Sequence, residues 1–179
     1  MASMISWAVS QTAGWALLAA IPITVVALVL VVRRRQAGEP HAILRTLSQA
    51  LFMLVLVAIA SLTLLVGPDR DASIELLPIV PLLQQLSDPV SQAVAARNLV
   101  GNVLLFIPFG FMAPLAWDRL DSWVRIAVVA STTSACIEAM QFLLRRGFAA
   151  DVNDVLVNVG GAMLGFAALW VGRGLGRRP

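Results

Sequence analysis

The chain has 179 residues, a mass of 19.1 kDa and a formal net charge of +3, with 59% hydrophobic and 13% charged residues and a mean hydropathy of +0.86. An average globular chain is roughly 45–50% apolar and about 25% charged, and a domain this small has a large surface that polar residues must cover. The shortfall excludes a soluble enzyme, a disordered tail and a disulfide scaffold, and makes lipid the medium around most of the surface.

Five apolar stretches approach or reach the roughly 20 residues that a membrane helix needs. They run over about 14–32, 47–66, 99–117, 123–144 and 155–171. The predicted fold is therefore all-α, a polytopic membrane helix bundle of about five transmembrane helices. The first stretch is followed by Arg33, Arg34 and Arg35 rather than preceded by a basic segment, so it reads as a retained anchor and not as a signal peptide. Residues 1–73 form two N-terminal spans with a basic loop between them, and His41 in that loop is expected to be solvated. The 67–97 segment is partly apolar but broken by Pro78, Pro81 and Pro89, which fits a segment at the outer interface or dipping back into the protein. Residues 74–172 then hold this segment and three closely connected spans, and 173–179 form a basic tail. Pro108 predicts a kink in the third span.

All 13 basic residues are Arg. Placing the first loop in the cytoplasm puts Arg33, Arg34, Arg35, Arg45, Arg119, Arg125, Arg173, Arg177 and Arg178 inside and only Arg70, Arg97, Arg145 and Arg146 outside. The positive-inside rule then gives an outside N-terminus and a cytoplasmic C-terminus. The Arg residues lie between apolar blocks rather than on one patch, which argues against a nucleic-acid partner. Trp7, Trp15, Trp117, Trp123 and Trp170 fit interfacial anchors.

Polar residues within hydrocarbon are costly and mark function by default. Asn98 and Asn102 share a face of the third helix at i, i+4; Glu138, Gln141 and Arg145 share a face of the fourth; Asp151, Asp154 and Asn158 share a face of the fifth. Seven residues separate Glu138 from Arg145, roughly 10 Å of helix, which is deep for a short carboxylate. With Arg146, these nine residues are expected to form one polar, outward-opening ligand pocket. The same residues also have purely structural readings. Asp151 suits the N-cap of the fifth helix, with Asp154 favourable near its N-terminus. The asparagines suit interhelical hydrogen bonds, and Glu138 a structural ion pair. Gly161-x-x-x-Gly165, with Gly160 adjacent, reads as a close-packing face.

Read in order, the stretches Ile74-Glu75-Leu76-Leu77-Pro78-Ile79, Asn98 to Phe111, Ile137-Glu138-Ala139-Met140-Gln141 and Asp151 to Gly161 resemble the VanZ-like family of small bacterial membrane proteins. The resemblance covers about residues 74–166. Carried over residue by residue, the family's polar positions fall on Asn102, Glu138, Gln141, Asp151, Asp154, Asn158 and Gly161. Arg145 and Arg146 lie five or six residues before Asp151, where the family often has one Arg closer to it, and Asn153 stands where an acidic residue is frequent. The resemblance implies a multi-pass protein of the bacterial cytoplasmic membrane and a link to lower susceptibility to teicoplanin-type glycopeptides, which act on cell-wall precursors.

Several functions are compatible with these residues. A binding protein would engage a lipid-linked wall precursor, a glycopeptide or another amphiphile, with Arg145 and Arg146 on its phosphate or carboxylate groups. It would need no cofactor and no metal, and its standing partners would be membrane lipids. A membrane-embedded hydrolase or transferase would use Glu138, Asp151 and Asp154 as acid and base, or to hold a divalent cation such as Mg²⁺. Neither His41 nor the single Cys136 is placed to make a nucleophilic pair. A small transporter or flippase would titrate Glu138 and need an oligomer to complete a pathway. A structural subunit would use the polar cluster only to order the fold.

Overall fold

Backbone amides in hydrocarbon have no water to bond, so an apolar chain satisfies them within helices. The computed structural model describes residues 2–65, 74–75, 87, 91–143 and 150–175, with side chains described at 14, 18–63, 87, 91–143 and 152–175. Five long helices run through these residues: α1 (Ala2–Gln36), α2 (Ala42–Leu65), α3 (Gln92–Ala116), α4 (Trp123–Leu143) and α5 (Val152–Leu175). Two short strands, β1 (Ile74–Glu75) and β2 (Ala150–Asp151), form a parallel ladder.

Among the described residues, α2 over Ala42–Thr63 and the whole of α3, α4 and α5 are long and apolar enough to cross a bilayer. Only 28–33% of an 18-residue apolar stretch of each is buried inside the protein. Their outer faces carry Leu44, Leu62, Leu104, Val124, Val128 and Leu164, which lipid must cover. On α1, Leu18, Ile21, Val25 and Leu28 are likewise exposed along the first apolar stretch. The chain is a multi-pass membrane protein.

Most helices outrun the apolar runs that announce them. α2 starts at Ala42 and α3 at Gln92, well before residues 47 and 99. Hydropathy marks where hydrocarbon begins, whereas the i→i−4 ladder continues into the polar boundary as long as the backbone allows. α3 also continues through Pro108, which has no N–H to offer the carbonyl of Leu104.

The chain divides into two compact units. The first comprises residues 1–66 and 112–121. Here α1 and α2 pack together as a hairpin. α1 ends in a Schellman motif: Gly38, at φ 70°, donates its N–H to Arg35 O at 3.1 Å, and Glu39 N–H reaches Arg34 O at 2.9 Å. His41, just before α2, is also left-handed at φ 57°. Arg34 Nη1 donates to Thr46 Oγ1 across the hairpin at 3.0 Å. Gln49 Nε2 donates to Ala116 O at 3.0 Å, satisfying one of the carbonyls that the end of α3 leaves without a helical partner. Phe52 meets Trp117 edge to face, with ring centroids 5.1 Å apart.

The second unit comprises residues 67–111 and 122–179. α4 and α5 are antiparallel, because Trp123 meets Phe166 edge to face at 4.6 Å while Ser134 meets Asn158. α3 and α5 are parallel and touch backbone to backbone. A Cβ on Gly161 would lie 3.0 Å from Val103 Cα and 3.1 Å from Phe106 Cβ. One on Gly165 would lie 2.9 Å from Ile107 C and Phe111 N, and one on Gly110 would lie 2.7 Å from Ala162 Cα. The expected close-packing face is thus Gly161 and Gly165, joined by Gly110 from α3. Gly160 faces open space.

Candidate functional site

The core of the second unit changes character along its axis. On α4 the buried stripe is Ile126, Ala130, Ser134, Glu138 and Gln141. Its first two members are apolar and its last three polar. On α5 the buried stripe begins with Asn153 and Asn158 and continues with Gly161, Ala162, Gly165, Phe166 and Leu169. Since the two helices are antiparallel, their polar halves coincide. α3 runs with α5, and its buried Phe106 and Phe109 lie at the apolar end, with centroids 5.5 Å apart. Asn102 comes one helical turn before Phe106 on the same face and is half-buried. Its neighbour Val103 abuts Gly161, so Asn102 stands at the level of the turn that carries Asn158.

One hydrogen bond fixes the register of the polar half. Asn158 Nδ2 donates to Ser134 Oγ at 2.8 Å, and both residues are buried. One turn from Ser134 along α4 is Glu138; one turn back from Asn158 along α5 is Asp154. Glu138 and Asp154 therefore stand at the same depth, roughly 6 Å from the Ser134–Asn158 pair. Glu138 and Gln141 are only 8% and 7% exposed, and Asn153 and Asn158 4% and 5%. Glu138, Gln141, Asn153 and Asp154 each take part in a further hydrogen bond, ion pair or electrostatic contact. The other polar atom of the Asn158 amide, Oδ1, is buried and has no hydrogen-bond partner among the described residues. An unbonded polar atom in such a place costs about 1–3 kcal/mol.

The β1–β2 ladder closes the same end. β2 leads directly into α5 and packs on α4. Its register pairs Ile74 with Ala150 and Glu75 with Asp151. Asp151 immediately precedes the first residue of α5, the position expected of a cap.

Of the nine predicted site residues, the structure brings Asn102, Glu138, Gln141, Asp154 and Asn158 to this polar half. Asn98 lies one turn further toward the start of α3 and is exposed. Asp151 is placed through its backbone alone. Arg145 and Arg146 lie outside the described residues, as does most of the 67–90 segment. Among the described residues, no three His, Cys, Asp or Glu side chains gather closely enough to hold a metal ion. Ser134 and Asn153 are buried in the same polar half, Glu75 is placed by its backbone in the ladder at that end, and none of the three was among the predicted residues. Ser134 has one sequence signal, its place one turn before Glu138 on the same face.

Comparison with known proteins agrees with the resemblance drawn from the polar motifs. Residues 19–173 match the VanZ/LLP1 family. Protein VanZ of Enterococcus faecium is 33% identical over 69 residues, which cover 38% of this chain and 42% of that protein. The match thus spans about two-fifths of the curated relative. No solved structure matches the chain.

Proposed function

The chain belongs to the VanZ/LLP1 family, and from that premise we propose that it lowers susceptibility to teicoplanin-type glycopeptides from within the bacterial cytoplasmic membrane. In this reading the polar half of the second unit faces outward and engages a lipid-linked or amphiphilic cell-envelope ligand. The observation that carries it is the Asn158 amide, buried with Nδ2 on Ser134 Oγ and with Oδ1 lacking a hydrogen-bond partner among the described residues. Apolar side chains would pack the same helices without the cost of desolvating amides and a carboxylate. An amide oxygen without a partner among the described residues, in the half of the core that also buries Glu138, Gln141 and Asn153, suits a site that completes its hydrogen bonds on a guest.

Arg placement supports the outward direction. Arg33, Arg34 and Arg35 occupy the last turn of α1, Arg119 the turn between α3 and α4, and Arg173 the last turn of α5. With each helix crossing once, these ends alternate onto one side, which the positive-inside rule makes cytoplasmic. The polar half lies at the opposite ends of α3, α4 and α5.

Expression in a teicoplanin-susceptible Gram-positive host tests the reading. The wild-type protein raises the inhibitory concentration several-fold, and Asn158→Leu with normal membrane accumulation does not. An unchanged inhibitory concentration with wild-type protein in the membrane overturns the proposal. A photo-crosslinker at Gln141 tests the ligand: labelling by a lipid-linked wall precursor supports it, and labelling by bulk phospholipid alone removes that choice.

A further inference from the structure

A groove of about 450 Å³ lies in the first unit, at the turn between α1 and α2. Arg35, Glu39, His41, Ala42, Ile43, Leu44 and Leu47 line it. Its position is informative, because α2 begins at Ala42 while its apolar run begins only at about residue 47, so the lining passes from the polar start of the helix to the edge of that run. The groove therefore straddles the boundary between hydrocarbon and water, the depth at which lipid headgroups sit.

Its two walls differ in chemistry. Toward the membrane interior, Leu44 and Leu47 are more than half exposed and form an apolar shelf. At the water edge stands Arg35. Its neighbour Arg34 is already engaged, with Thr46 Oγ1 at 3.0 Å and with Glu39 Oε2 at 3.6 Å. Glu39, the acidic residue of the groove, is thus turned to Arg34 by that pair. The first turn of α2 has no acidic residue, so no carboxylate there offsets the arginines or the positive end of the helix. The turn is closed by the Schellman bonds, and His41 beside them is in the left-handed region.

We propose that this groove binds the phosphate of an anionic phospholipid, with Arg35 on the phosphate and the acyl chains along Leu44 and Leu47. A guanidinium matches two phosphate oxygens with two parallel N–H donors. The apolar shelf continues that contact into the hydrocarbon, which a soluble anion could not use. This assignment is independent of the polar half of the second unit.

Native mass spectrometry of the full-length protein released from detergent, titrated with phosphatidylglycerol or with phosphatidylcholine, tests it. Wild-type protein retains phosphatidylglycerol preferentially, and Arg35→Gln lowers that retention about five-fold, the effect of one arginine at an anionic surface. Glu39→Gln raises it, since the groove loses its acidic wall and Arg34 is released; this variant keeps the test decisive where Arg35→Gln accumulates poorly. Equal retention by wild type and Arg35→Gln overturns the site. So does an equal loss in Arg173→Gln, which would mean diffuse charge attraction. Inorganic phosphate that displaces the lipid at millimolar concentration would show an anion site and overturn the lipid assignment.

Discussion

Asn158 on α5 donates to Ser134 on α4 at 2.8 Å, and this interhelical bond lies where the core of the second unit passes from apolar to polar. Ser134→Ala leaves the Asn158 amide with neither polar atom bonded among the described residues. The expected loss is about 1–3 kcal/mol. Ser134→Ala combined with Asn158→Leu removes both partners and recovers part of that loss. Reversible unfolding in mixed micelles measures both; a double variant less stable than Ser134→Ala contradicts the pairing.

The glycines of α5 give a sharper contrast. Gly165→Ala forces a methyl against the backbone of Ile107 and Phe111, which cannot move without separating α3 from α5. Overpacking of this kind costs about 1–3 kcal/mol or more. Gly160→Ala meets nothing within 4 Å and gains up to about 1 kcal/mol of helix propensity. Thermal unfolding in detergent separates them: Gly165→Ala melts earlier than wild type and Gly160→Ala no earlier.

Sequence periodicity made much of this legible, and the misses have physical causes. Glu138 and Gln141 stood out because a carboxylate and an amide at i, i+3 in an apolar run have no cheap explanation. Ser134 did not, because a helical hydroxyl usually bonds its own preceding turn, as Thr132 does with Val128 O at 2.9 Å. Asn98 and Asn102 share a face by spacing, yet one is exposed and the other half-buried, since burial also depends on how near a residue is to the helix end. Spacing could not separate Gly160 from Gly161 either; only the approach of α3 does. The pairing of Glu75 with Asp151 joins residues far apart in sequence through two-residue strands too short for any periodic signal.

The inferred orientation makes a prediction about accessibility. The native thiol is Cys136, exposed on α4, so labelling begins from a Cys136→Ser background. Glu39→Cys in the α1–α2 turn and Asp118→Cys in the α3–α4 turn are then expected to resist a membrane-impermeant maleimide in intact cells and to react after permeabilisation. Reaction of both in intact cells would invert the topology and place the polar half on the cytoplasmic side.

Glu138 decides whether the polar half serves structure or function. It stands level with Asp154, a second carboxyl group, and Glu138→Gln keeps a hydrogen-bonding side chain of the same shape while removing one ionisable group from that depth. Were Glu138 a buried ion-pair member that only orders the fold, neutralising it would strand its partner and cost about 3–5 kcal/mol. The functional reading expects a stability loss well below that, because the glutamine still hydrogen-bonds, together with loss of glycopeptide protection. Unfolding in mixed micelles and inhibitory concentrations on the same variant read the two effects separately. A large stability loss would assign Glu138 to the framework, and a stable variant that still protects would remove it from the site.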